Sequence, residues 1–169
     1  DNDGRDDLFI AKGNVDQMPG LAMADPNNLL MQNANGTFSE AASFAGVATT
    51  ARSRGAALAD FDGDGRLDLL VSNRRAAIEL YRNVTPDTGH WIALDLISDT
   101  TNTQAIGALV VVNGKSQQVT VGGGHAGGQS GPLHFGLGAQ TEAQVQVSWP
   151  DGRITSGSLA VDKRHSLRP

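Results

Sequence analysis

The 169-residue chain has no cysteine, which removes disulfide frameworks and thiolate zinc sites from consideration. Aromatic residues are scarce, at 5%. Basic charge is also short: 13 Lys and Arg stand against 18 Asp and Glu, for a formal net charge of −5. No basic stripe is available to neutralise phosphates, so a nucleic-acid partner is not expected. No apolar run approaches the roughly 18 residues needed to cross a bilayer as a helix, so no membrane span is expected. No leader precedes Asp1, and the chain opens inside a motif, so it reads as a fragment or a processed product.

What is plentiful is glycine, at 21 residues, which predicts many turns and few helices. The first half repeats itself. Asp1-Asn2-Asp3-Gly4-Arg5-Asp6-Asp7-Leu8-Phe9-Ile10 aligns with Asp62-Gly63-Asp64-Gly65-Arg66-Leu67-Asp68-Leu69-Leu70-Val71 at an offset of 61 positions. Leu30-Met31-Gln32-Asn33 aligns with Leu80-Tyr81-Arg82-Asn83 at an offset of 50, which implies an insertion placed between Gly13 and Asn28.

After the short turn-forming stretch Thr85-Pro86-Asp87-Thr88-Gly89, period-2 alternation takes over. Ile92, Leu94 and Leu96 share one face, as do Leu133, Phe135 and Leu137, and then Val145, Val147 and Trp149. Ala108 to Val112 is apolar throughout and ends on Asn113-Gly114, a strong hairpin signal, with Val119 and Val121 on the return. These patterns divide the chain into residues 1–87, rich in turns, and 88–169, a small β-sandwich or barrel.

Chemistry concentrates in Asp60-Phe61-Asp62-Gly63-Asp64-Gly65-Arg66-Leu67-Asp68. Asp60, Asp62, Asp64 and Asp68 occupy the first, third, fifth and ninth places, and Arg66 can offer its backbone carbonyl. Alternate residues of a curled loop turn their oxygens inward, and four such carboxylates repel unless a cation sits among them. Calcium suits a flexible all-oxygen site. An EF-hand would need Glu at the twelfth place, where Val71 stands, and a helix where Leu69-Leu70-Val71 reads as a strand. In the first copy, Asp1, Asp3 and Asp7 match the later ligands, with Arg5 supplying the carbonyl and the first ligand missing.

Other motifs fail on context. Gly122-Gly123-Gly124-His125-Ala126-Gly127 fits a bare dinucleotide fingerprint but lacks the βαβ frame that gives it meaning. Gly114-Lys115-Ser116 is a hairpin turn, no serine lies in a nucleophile elbow, and the four histidines show no ligand spacing. His134 falls on the polar side of its strand and is expected to be solvated. Asn35-Gly36-Thr37 and Asn83-Val84-Thr85 are N-glycosylation triplets.

The carboxylate loops, with Ser53-Arg54-Gly55-Ala56-Ala57-Leu58-Ala59 before the second and Asn35-Gly36-Thr37-Phe38 after the first, resemble FG-GAP or VCBS repeats of integrin-α-type propellers. The second half resembles the ASPIC/UnbV domain of cartilage acidic protein-like and bacterial exported proteins. His90-Trp91, Ala105-Ile106-Gly107-Ala108, Leu133-His134-Phe135-Gly136-Leu137-Gly138 and Trp149-Pro150-Asp151-Gly152-Arg153 carry that likeness. The resemblance implies calcium binding, a secreted, extracellular setting and a structural or adhesive role. The expectation is an all-β protein with incomplete propeller-type repeats, since closure needs about four to eight blades. Self-association through strand-edge pairing, even into a filament, follows from that shortfall. Other chains or glycans are the expected partners. The chain is not expected to be an enzyme; the alternative is a carbohydrate-active or other hydrolytic fragment using the clustered carboxylates.

Overall fold

A computed structural model describes residues 1–13, 24–123 and 128–169. It is all-β: thirteen strands, with no helix among the described residues. The first six are β1 (Leu8–Ile10), β2 (Asn28–Gln32), β3 (Phe38–Glu40), β4 (Ser53–Ala59), β5 (Asp68–Asn73) and β6 (Glu79–Tyr81). They form two three-stranded antiparallel sheets, ordered β1-β2-β3 and β4-β5-β6.

The repeat is visible in the registers. Leu8 faces Leu30 and Phe9 faces Leu29, while Leu69 faces Tyr81 and Leu70 faces Leu80. Leu29 and Leu80 are therefore equivalent, and so are Leu30 and Tyr81. The second element is thus shifted one residue from the alignment of Leu30 with Leu80. Identity at single positions misled the alignment there; pairing geometry fixes it, because a one-residue slip sends every side chain to the opposite face. The insertion between Gly13 and Asn28 falls mostly outside the described residues.

One face of each sheet meets the other. Val71 and Leu69 are buried there with Ala42 and Val47, and Phe9, Leu29, Ala56 and Tyr81 pack around them.

The remaining strands are β7 (His90–Leu96), β8 (Leu109–Val112), β9 (Lys115–Gln118), β10 (Leu133–Gly138), β11 (Glu142–Ser148), β12 (Ile154–Ala160) and β13 (Lys163–Leu167). They make a three-stranded sheet, β10-β7-β13, and a four-stranded sheet, β12-β11-β8-β9. Each sheet turns one face onto a shared core. Ile92, Leu94, Leu96, Phe135 and Leu137 come from the first sheet, and Val110, Val112, Ala143, Val145 and Val147 from the second. Trp149 closes one end, its indole nitrogen donating to the Thr155 hydroxyl at 3.0 Å. The result is a sandwich; among the described residues no barrel closes.

The alternations at 92–96, 133–137 and 145–149 all land inward as expected. Asn113 and Gly114 both take positive φ, at 48° and 86°, so the β8–β9 connection is a tight turn of the primed type. The return ladder stops at Gln118: Val119 still bonds Ala108 through its backbone, but Val121 is 60% exposed. β12 and β13 have no strong alternation and were not foreseen. β13 runs parallel to β7, with His165 opposite Leu94.

Candidate metal centre and its junction with the sandwich

The loop from Asp60 to Asp68 joins β4 to β5, with Ala59 paired to Asp68 across its mouth. Strands flank it on both sides, which removes the EF-hand reading. Gly63 and Gly65 take φ of 76° and 86°, a region costly for other residues, and so let the chain curl. Asp60 organises the curl from within: its carboxylate accepts from the amides of Gly63, Asp64 and Gly65 at 2.8, 3.1 and 2.9 Å. Asp68 is buried and closes the loop, accepting from Phe61 at 2.9 Å and from Asn83 beyond β6 at 2.8 Å. Asn83 also donates its side-chain amide to the Leu67 carbonyl at 3.1 Å.

These bonds bring Asp60, Asp62 and Asp68 together, with one carboxylate oxygen from each within 4.8 Å of the others. Three hard oxygen donors on a curled loop fit a cation of calcium's type. Asp64 is not brought into the group. Its carboxylate accepts from the Arg66 amide at 3.0 Å, pairs with the Arg66 guanidinium and lies 3.4 Å from Arg82. Arg82 also reaches Asp62, at 2.6 Å. The Arg66 amide, then its guanidinium and Arg82, hold the Asp64 carboxyl below its ordinary range, with desolvation opposing.

The first copy repeats much of this. Asp3 pairs with Arg5 as Asp64 pairs with Arg66. Asp7 accepts from the Gln32 amide at 2.8 Å as Asp68 does from Asn83. Arg5 donates to the Gln32 carbonyl, and Arg66 to that of Asn83. Asp1 accepts from the Asp3 amide at 3.0 Å. Yet among the described residues Asp1, Asp3 and Asp7 do not gather into a group of three donors.

Between the two loops stands Asn2. Its side-chain amide donates to the Gly65 carbonyl at 2.8 Å, its side-chain oxygen meets His134 Nε2 at 2.9 Å, and its carbonyl accepts from the Gly138 amide at 2.8 Å. His134 stacks on Trp91, ring centroids 5.6 Å apart and planes 8° from parallel. The edge of that indole lies against Gly65 so closely that a Cβ there would fall 2.0 Å from Trp91 Nε1. His134 is therefore a half-buried joint and not the solvated residue expected from its strand position. Burial pushes its pKa down to about 4, against a smaller opposite pull from Asp60.

An open cleft of about 830 Å³ follows this seam, lined by Asp60, Leu58, Trp91, His134, Gln117 and Gln129. The glycine-rich stretch read as a bare fingerprint lies mostly outside the described residues, at 124–127; among those described, Gly122 forms a β-bridge with Gln129 and no helix follows.

Asn2, Trp91, Arg82 and Asn83 do their work unannounced by the sequence.

Comparison with known proteins agrees with this architecture. The FG-GAP-like repeat family matches residues 1–71, and the family described as ASPIC and UnbV matches residues 98–169. Cartilage acidic protein 1 of Mus musculus is 31% identical over 124 residues, and the proteins of that name from Homo sapiens and Xenopus tropicalis are each 30% identical. The alignments cover 69% of this chain and 19% of each relative, so the chain spans a minor part of their length. The chain thus joins FG-GAP-like repeats, over residues 1–71, to an ASPIC/UnbV domain over residues 98–169.

Proposed function

We propose that the chain is a calcium-binding structural or adhesive module working outside the cell, with residues 1–87 as the ion-binding unit and 88–169 as a domain set upon it. The gathering of Asp60, Asp62 and Asp68 carries this reading. Those three would hold the ion through carboxylate oxygens and the Arg66 carbonyl would join them. Asp64 would join only by exchanging its contacts with Arg66 and Arg82 for the ion. Asp1, Asp3 and Asp7, with the Arg5 carbonyl, would form a second, weaker site.

The bound ion would replace mutual carboxylate repulsion with attraction and fix the loop against which Trp91 rests. Its role is structural. The relatives' name, with its reference to cartilage, supports an extracellular setting.

The experiment is thermal unfolding with calcium and then with chelator. A ligand that binds the folded chain alone stabilises it by about 2.7 kcal/mol at a hundredfold excess over Kd. Asp62→Asn is the informative variant, because an amide oxygen can still accept from the Asp64 amide while the charge is lost. It should melt like the wild type in chelator and gain much less from calcium. Asp60→Ala would be ambiguous, since Asp60 also holds three loop amides. A wild-type melting temperature indifferent to chelator would sink the calcium reading.

Hydrolysis is disfavoured by the same geometry. A glycosidase needs one carboxyl group with a raised pKa set apart from its partner, whereas Asp60, Asp62 and Asp68 crowd together and Asp64 is held down by the Arg66 amide and guanidinium and by Arg82. The cleft beside Trp91 and His134, with Gln117 and Gln129 at its walls, suits binding of a glycan. A glycan panel assayed for both binding and cleavage, with and without calcium, separates the two.

Self-association belongs to the proposed role as well. In the first sheet β1 and β3 are edge strands, and unpaired edges invite strand addition.

A further inference from the structure

A chain of contacts that runs through Asn2, His134 and Trp91 closes back on Gly65. The Gly65 amide donates to the Asp60 carboxylate at 2.9 Å, and the Gly65 carbonyl accepts from the Asn2 side-chain amide at 2.8 Å. The side-chain oxygen of Asn2 can only accept, so His134 Nε2, 2.9 Å away, carries the ring proton. His134 stacks on Trp91, and the edge of that indole returns to Gly65. The circuit thus starts and ends on one peptide group, and a carboxylate of the candidate metal centre anchors that peptide.

The sandwich also grips the backbone on either side of Asn2. The amide of Gly89, which leads into β7, donates to the Asp1 carbonyl at 3.0 Å, and that of Gly138, which ends β10, donates to the Asn2 carbonyl at 2.8 Å. A Cβ on Gly89 would lie 2.4 Å from the Asn2 carbonyl oxygen. One on Gly136 would lie 2.8 Å from the Asn2 Cα, and one on Gly138 2.9 Å from the Asp3 carbonyl oxygen. Three glycines therefore let residues 1–3 lie main chain to main chain against the sandwich. Such a seat tolerates little displacement, so a shift of the Gly65 peptide strains Asn2 and the slot that holds it.

We propose that these contacts make the sandwich a reader of the second loop: it sits firmly on the repeats when Asp60, Asp62 and Asp68 share a cation, and loosely when they do not. Without a cation the three carboxylates repel one another, and Asp60 is drawn away from the Gly65 amide. With one, Asp60 keeps its place, the Gly65 peptide is fixed, and Asn2, His134 and Trp91 gain a firm footing. Coupling of this kind is reciprocal, so the seated sandwich strengthens ion binding in return. Asn2 reaches the Asp60 carboxylate through the Gly65 peptide, and so acts as a positioning residue. The inference rests on the calcium-binding reading and adds what the ion controls.

Amide hydrogen exchange followed by NMR tests it on the wild-type chain, because the Gly89 and Gly138 amides belong to the sandwich side of the junction and their acceptors to the repeats. In calcium these two amides should exchange about tenfold more slowly than in chelator, while amides of the β8–β11 ladder change less. In Asp62→Asn the calcium effect on Gly89 and Gly138 should vanish, which assigns it to the second loop. Asn2→Ala keeps every carboxylate, yet calorimetric titration should show calcium bound about fivefold more weakly. A residue that only stabilised the fold would lower the melting temperature and leave that affinity alone. Should Asn2→Ala fail to fold, exchange in the wild type and in Asp62→Asn decides by itself. Absence of any calcium binding by the wild type would overturn the calcium reading and this inference together. This inference alone falls if calcium binds but leaves Gly89 and Gly138 unchanged, or slows them no more than the ladder. It falls equally if the effect survives in Asp62→Asn, or if Asn2→Ala binds calcium as tightly as the wild type.

Discussion

At the scale of single residues, the junction is held by groups whose substitution has a calculable direction. Gly65 combines a φ of 86° with the indole edge of Trp91 where a side chain would begin. Gly65→Ala is expected to cost about 2–3 kcal/mol, from left-handed strain and overpacking together. Denaturant unfolding measures that, and Trp91 fluorescence should shift as the ring is pushed aside. His134 is neutral in the fold, its pKa lowered by burial from 6.5 to about 4. The unfolded chain therefore binds the proton more readily than the folded chain, and stability falls as pH drops from about 6.5 toward 4. The full effect is on the order of 3 kcal/mol at most. His134→Phe keeps a ring against Trp91 and should flatten the pH dependence of the melting temperature across that window. A slope unchanged in the variant would assign the acid sensitivity to other groups.

At the scale of elements, the strands whose side chains alternate cleanly were readable, because one face of each is core and the other is not. Ile92-Ala93-Leu94, Phe135-Gly136-Leu137 and Val145-Gln146-Val147 are of this type. Leu94, 1% exposed and paired on both sides by β10 and β13, should show it most clearly. Leu94→Ala is expected to cost about 3 kcal/mol in chemical denaturation. β12 was unreadable because it is an edge strand with Ser156, Gly157 and Ser158 at its centre. β13 hid for another reason: Lys163-Arg164-His165 carries its polarity into ion pairing and backbone contacts, Arg164 with Asp95 at 2.5 Å and His165 with the Ala160 carbonyl at 2.8 Å. The carboxylate loop stood out by its spacing, but the contacts of its side chains did not. Spacing cannot reveal that Arg66 and Arg82 converge on Asp64, since Arg82 arrives from 18 residues away.

At the scale of the molecule, the two hydrophobic clusters share no residue, and Asn2 ties the loops of one to the sheet of the other. Asn2→Ala removes bonds to both the Gly65 carbonyl and His134, a loss of about 1–3 kcal/mol. Scanning calorimetry should then resolve two melting transitions where the wild type shows overlapping ones. A variant that still melts in one sharp step would mean that the halves are coupled by other contacts. The sandwich, meanwhile, is stitched by its final strand: β13 returns to lie beside β7, so Leu94 finds its partner His165 only 71 positions further along the chain. During synthesis on a ribosome, β7 must wait with one side unpaired until the chain through Leu167 has emerged. Contacts so distant along the chain also slow the search for the native pairing. The sandwich is thus assembled last and all at once, and a ribosome stalled before β13 should present β7 to chaperones as an open, protease-sensitive strand.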